Sequence, residues 1–200
     1  MRRMVTTLAL VAVAAGTVAC AGPRAFTRGT YQDPEEIAML GDQWNQNDMQ
    51  LVAKKVVSSL EAWAAAAGVP GKPVVVLEQP RNRTSEHIDM QALYDHVKTA
   101  LINSGQFTFL DKAAREEIAK EYEYQGSGYV NPNEATGPGK QRAAEFLLGG
   151  VITSTVQEVG RDKLVYYKAT FELTNIETTE IVWTDHKEIT KQFKKRSVGL

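Results

Sequence analysis

Residues 73–124 constrain this chain more than any other stretch. PVVVLEQPRNRT begins as a buried-type strand and ends in a polar loop that contains Pro80. SEHIDMQALYDHVKTALINSG then sets Leu93, Val97, Ala100 and Leu101 at helical spacing. Asp89 is placed to cap that helix, its carboxylate accepting from an otherwise unpaired backbone N–H. Gly105 stands where a left-handed residue would end it. QFTFLD reads as a second strand, and Asp111 as the cap of a second helix whose buried stripe is Ala114, Ile118 and Tyr122. Strand, helix and strand at this spacing form a βαβ crossover, with two parallel strands side by side and the helix on one face.

The rest of the chain completes a sheet. EFLLGGVITSTVQEV is a strand whose continuous apolar start suits burial on both faces. Gly160, Arg161 and Asp162 make a hairpin turn. KLVYYKATFELTN alternates strictly, with Val165, Tyr167, Ala169, Phe171 and Leu173 on one face and Tyr166, Lys168, Thr170 and Glu172 on the other. ETTE turns the chain again before a last strand, IVWTDHKEI. The expected fold is α/β: a single domain with a mixed sheet of about five strands, the crossover pair plus an antiparallel meander, and packed helices. Between the halves, residues 126–140 (GSGYVNPNEATGPGK) read as an ordered loop or a surface flap, and residues 141–145 as a short helix. Upstream, residues 48–67 form a helix with Val52, Val56, Ser59, Leu60, Trp63 and Ala67 on one face.

The N-terminus is an address. Arg2 and Arg3 precede an apolar run and a small-residue stretch that ends at Cys20, the sole cysteine. A leader of 19 residues is too short for a stable membrane span. T-V-A-C resembles a bacterial lipobox, with Thr17 where an aliphatic residue is usual, so residues 1–19 are expected to be removed and Cys20 lipidated. A plain secretory cut would leave a free thiol there instead. No disulfide framework is available, so the core must hold unaided. Residues 20–47, with scattered Gly and Pro and no sustained period, read as a flexible linker, which leaves residues 48–200 as the globular domain. As a flexible coil the linker reaches roughly 30 Å. The 200-residue chain has formal net charge −1, which excludes the basic excess that general nucleic-acid binding needs. Its one basic run, Lys194 to Arg196 preceded by Lys187 and Lys191, reads as a solvated end.

Chemistry is sparse. Glu86, His87 and Asp89 could be imagined as an acid–base or metal cluster, but Asp89 is needed as a cap and H-x-D specifies no metal. His96 and His186 have no partner in sequence. The glycines near Lys140 do not make a phosphate loop, because Lys140 is followed by Gln141 rather than Ser or Thr. Neither G-x-S-x-G nor H-E-x-x-H occurs. These absences point away from an enzyme, a cofactor or a metal, and toward contact with another macromolecule.

With these segments in view, the chain resembles the LpoB family of bacterial outer-membrane lipoproteins. The phrases that carry the likeness are NRTSEHID, ALINSGQFTFLDKAAREEIA, EYQGSGYVNPN, FLLGGVIT, VQEVG, YYKATFELT and WTDHKEITKQFKKR, from about Arg81 to Arg196. The resemblance implies a TolB-N-terminal-like α/β domain without catalytic activity, anchored in the outer membrane through Cys20 and facing the periplasm. The implied partner is a bifunctional class A penicillin-binding protein, bound through a small accessory domain and stimulated in glycan polymerisation and crosslinking. The linker departs from the family pattern, which has a long Pro-rich tether. No motif marks the contact residues. The residues themselves favour the Gly/Pro/Asn loop, with Tyr129, Asn131, Lys140 and Arg142, and with Arg161 in the adjoining turn. Tyr129 has an alternative role in packing that loop onto the sheet. A monomer is expected. The alternative function is an envelope lipoprotein that binds peptidoglycan or a small ligand; an enzyme using Glu86, His87 and Asp89 stands last.

Overall fold

The computed structural model describes residue 33 and residues 40–79 and 81–195. The leader, Cys20, most of the expected linker and Arg196 lie outside the described residues. Asn45 opens the first helix, α1 (Gln46–Ala66), through a capping box: its side chain accepts from the Asp48 N–H at 3.2 Å, and its own N–H donates to Asp48 Oδ2 at 2.9 Å. The helix therefore starts two residues before Asp48, which serves as the box's third residue. Strand β1 (Val74–Leu77) follows, and β2 (Arg81–Arg83) after it. Helix α2 (Met90–Asn103) is capped by Asp89, which accepts from Ala92 N–H at 3.0 Å, and Gly105 follows it at φ +71°. Strand β3 (Thr108–Phe109), helix α3 (Arg115–Gln125) and three 14-residue strands complete the fold: β4 (Phe146–Val159), β5 (Asp162–Asn175) and β6 (Ile181–Lys194).

The sheet runs β3-β1-β4-β5-β6, with β2 also on β4. β1 is parallel to both β3 and β4, and β5 is antiparallel to β4 and β6, so the crossover and the meander join through β1 and β4. The sheet has six strands, one more than expected, because β1 and β2 share one lane along β4. Leu77 pairs with Leu148 and Arg81 with Val151, so the lane spends an extra residue between its two parts. Pro80 and the charged Arg81-Asn82-Arg83 had made this segment read as a loop.

Both α1 and α2 pack on the face of the sheet that carries Val165, Tyr167, Ala169, Phe171 and Leu173. Val52, Val56 and Leu60 of α1 and Leu93, Tyr94, Val97 and Leu101 of α2 are buried there. Tyr94 lies 5.8 Å from Phe171, and Trp63 sits edge-on to Phe146 at 5.5 Å. Gly150 admits this packing: a Cβ there would come within 2.9 Å of the Phe171 ring and 3.0 Å of the Tyr94 hydroxyl. A Cβ on Gly149 would strike Glu78 on the opposite face.

Three expectations fail. α3 has no buried residue, and Ile118 is exposed. Glu116, Glu117, Lys120, Glu121 and Glu123 surround it with charge, leaving no continuous apolar stripe. Asp111 closes the turn before it, accepting from Ala114 N–H at 3.0 Å, and does not cap it. Residues 141–145 form no helix.

Lys191 is not part of a solvated end. It is buried, and its ammonium donates to Asp48 at 2.5 Å and to the Gln43 carbonyl at 2.7 Å. It belongs to a latch that holds residues 42–45, read as linker from composition, against β5 and β6. Trp44 packs edge-on to Tyr167 at 5.5 Å, and its backbone N–H donates to Glu86 at 2.8 Å. The Tyr167 hydroxyl donates to the same Glu86 carboxylate, and Lys163 pairs with Asp42 at 2.8 Å.

Candidate functional site

Residues 126–145 connect α3 to β4 and carry most of the expected contact residues. Tyr129 is 83% exposed and stacks on Tyr124 of α3, with centroids 6.1 Å apart and rings inclined by 19°. It does not pack the loop onto the sheet. Asn131 is the loop's internal scaffold. Its carbonyls accept from the Asn133, Glu134 and Ala135 N–H groups, and its amide donates to Glu134 at 3.4 Å. Gln125 accepts from Thr136 N–H at 2.6 Å and ties the loop back to α3. Lys140 and Arg142 are exposed, and neither meets a carboxylate among the described residues.

Arg161 stands elsewhere. It is the second of the two loop residues between β4 and β5, after Gly160 at φ +60°, as a two-residue hairpin with glycine first requires. Its guanidinium donates twice to the Lys195 carbonyl, at 3.0 and 3.2 Å, fastening the hairpin to the end of β6. The 14 residues of β4 span roughly 44 Å and separate Arg161 from Arg142. The turn is therefore not adjoining, and Arg161 does not join the loop residues in one surface. Cys20 lies outside the described residues.

A second surface was within reach of the sequence and was not singled out. The even-numbered face of β5 turns away from α1 and α2, and its residues are half-exposed. Cross-strand register sets Arg83, Thr153, Lys168 and Glu188 in one row and Thr155, Tyr166 and Thr190 in the next. The Glu188 carboxylate, bonded to the Tyr166 hydroxyl, raises that phenol's pKa. The strict alternation of β5 already separated these side chains from the core.

The imagined Glu86, His87 and Asp89 cluster comes apart. Glu86 accepts from Trp44 and Tyr167, His87 points to solvent, and Asp89 caps α2. Among the described residues no three His, Cys, Asp or Glu side chains could together hold a metal ion. An open cleft of about 450 Å³ lies between Val69, Pro70, Glu145, Phe146, Asn175 and Ile176. No described helix is long and apolar enough to cross a membrane.

Solved structures that resemble the chain include the C-terminal domain of LpoB from Escherichia coli (18% identity, 72% of this chain and 99% of that one, TM-score 0.47). The solution structure of E. coli LpoB (18%, 86% and 86%, TM-score 0.41) and lipoprotein GNA1162 from Neisseria meningitidis (12%, 63% and 88%, TM-score 0.39) also resemble it. No curated protein matches in sequence. Residues 48–189 match the model of the family described as Peptidoglycan-synthase activator LpoB, and the chain belongs to that family.

Proposed function

We propose that this chain is a non-enzymatic, lipid-anchored regulator that binds a class A penicillin-binding protein through its accessory domain and stimulates glycan polymerisation and crosslinking. The observation that carries this is the family match across residues 48–189. The architecture is compatible with it: the charged side chains nearest to an acid–base cluster are committed to capping and latching, while Lys140 and Arg142 stand in water with no carboxylate partner among the described residues. Residues 1–19 act as the leader, Cys20 takes the lipid, and the protein faces the periplasm from the outer membrane as a monomer. The free tether is shorter than composition suggests, because residues 42–45 belong to the latch. A short tether fits a synthase whose accessory domain reaches outward, or a lipoprotein held elsewhere in the envelope; lengthening and shortening residues 21–39 in cells tests this.

The contact surface is assigned to Tyr129, Lys140 and Arg142 together with the uncovered face around Tyr166 and Lys168. Asn131 acts by shaping the loop, and Arg161 by fastening the hairpin. The test is binding of soluble residues 21–200 to the same organism's class A penicillin-binding proteins, with a glycan polymerisation assay alongside. Saturable binding with faster polymerisation is the expected result. Absence of both with folded protein, and co-sedimentation with purified sacculi, would move the function to peptidoglycan binding.

A further inference from the structure

The two outer edges of the long meander differ. β6 is guarded by an inward charge, Lys191, while α1 packs on its covered face through Lys55 paired to Asp185 at 2.9 Å and Trp183 donating to Ser59 at 3.2 Å. An inward charge is a device that keeps an edge from pairing. Among the described residues, β4 has a partner on its outer side only as far as Thr153, where β2 ends. Asn82 then turns the chain out of the lane, accepting from Thr84 N–H at 2.9 Å and donating to the Glu86 carbonyl at 2.8 Å. Beyond it, Thr155 to Val159 are all exposed, with Val156 at 48% and Val159 at 77%.

The open backbone groups can be named. Leu148 accepts from the N–H of Glu78 in the outer lane, so even-numbered residues of β4 aim their N–H and C=O away from β5. β4 has no register shift against β5, so Val156 and Glu158 keep that orientation. No proline or bulge blocks this edge; its one charge, Glu158, lies on the face that carries Lys163 and pairs with Lys195 at 3.4 Å.

We propose that the edge of β4 from Thr155 to Val159 is a strand-addition site for an extended segment of the partner protein, one that sets a carboxylate beside Arg83 and an apolar side chain against Val156. This rests on the partner-binding function above and names its mode. An incoming strand would continue the lane of β2. Its residue abreast of Thr155 lies one same-face step beyond Arg83, which meets no carboxylate among the described residues, on the face that carries Lys168 two lanes away. Its next residue falls on the other face, beside the exposed Val156. Main-chain bonds give such a mode its affinity and the alternating side chains its selectivity. A second copy is a poor occupant, since two five-residue edges fall well short of the roughly 1,000 Å² a stable pairing needs.

The test uses Val156→Pro, which removes an outward N–H without touching the β5 ladder, with Val156→Thr as the variant that keeps it. Arg83→Glu probes the charge. Binding to the class A penicillin-binding protein should fall about tenfold or more with Val156→Pro and with Arg83→Glu, and hold with Val156→Thr. Hydrogen exchange of the wild-type complex should slow at Val156 and Glu158, a readout that does not depend on any variant folding. Wild-type binding with unprotected Val156 and Glu158 overturns the strand-addition mode and leaves partner binding intact. Failure of the wild-type protein to bind any class A synthase overturns both.

Discussion

Lys191 and the pair Lys140 and Arg142 place cations in opposite surroundings. Lys191 is 2% exposed, paired with Asp48 and bonded to the Gln43 carbonyl, whereas Lys140 and Arg142 stand in water with no described carboxylate near them. A buried ammonium must be paired and fully hydrogen-bonded, so its neighbours are fixed. Here they fix residues 42–45 on β5 and β6 and decide where the tether meets the domain. The exposed cations fix nothing in the fold and remain available to a partner. Position along the chain does not separate the two classes; burial does.

Removing one side of the buried pair should break the comparison hardest. Asp48→Ala leaves Lys191 charged and unpaired and also opens the α1 capping box, so a loss of about 3–5 kcal/mol is expected, read by urea unfolding. Replacing both partners, Asp48→Leu with Lys191→Met, should return most of that loss, because the penalty lies in the orphaned charge. If the double variant is as unstable as the single one, the latch is held by the cap and not by the pair.

Gly150→Ala probes the uncharged half of the same covered face. Its Cβ would sit 2.9 Å from the Phe171 ring, which is itself buried against Tyr94. Overpacking of this kind costs about 1–3 kcal/mol. A neutral result in thermal unfolding would mean that α2 can shift away from β4.

What was legible in the sequence follows the range of the interactions. Asp89 and Gly105 bound α2 through local geometry, and the alternation of β5 separates its faces without help from other strands. β2 was hidden because its pairing with β4 lies about 70 residues away, and Pro80 spoke locally for a loop. The latch joins residues 143 positions apart, Asp48 and Lys191, so Lys191 read as one more cation near a basic end. A signal was present: Lys191 is in phase with Trp183 and Ile189 on the covered side of β6. The loop was legible as an exposed surface from its Gly, Pro and Asn. Arg161 was misplaced because nearness in sequence concealed the length of β4.

Tyr94 supplies an intermediate case, a buried hydroxyl with no hydrogen-bond partner among the described residues. Burial raises its pKa, and burial with the Glu86 hydrogen bond raises that of Tyr167. Both phenols thus stay protonated in the fold above the ordinary value near 10. A raised folded value means that stability is complete below about pH 10 and falls as pH rises past it, by up to about 1.4 kcal/mol per pH unit for each phenol. Tyr94→Phe should remove the slope that Tyr94 contributes and, at neutral pH, hold or raise stability by about 1 kcal/mol, because the orphaned hydroxyl is gone. Lower stability at neutral pH would show that the hydroxyl finds a hydrogen-bond partner in solution.

The smallest effect on stability is expected at exposed residues that serve binding. Lys140→Ala and Arg142→Ala remove exposed side chains from a loop whose order comes from Asn131, Gln125 and the Tyr124–Tyr129 stack. Each should leave stability within about 0.5 kcal/mol of the parent. At a surface that anchors a partner, each should also weaken binding about fivefold or more, the equivalent of about 1 kcal/mol. Unchanged binding with both replaced would confine the interface to the sheet face around Tyr166 and Lys168. Added salt then discriminates further, since contacts made by water-exposed cations are screened while main-chain pairing at the β4 edge is not. A salt dependence that shrinks in the double variant, leaving the part due to Arg83, would identify Lys140 and Arg142 as its other source.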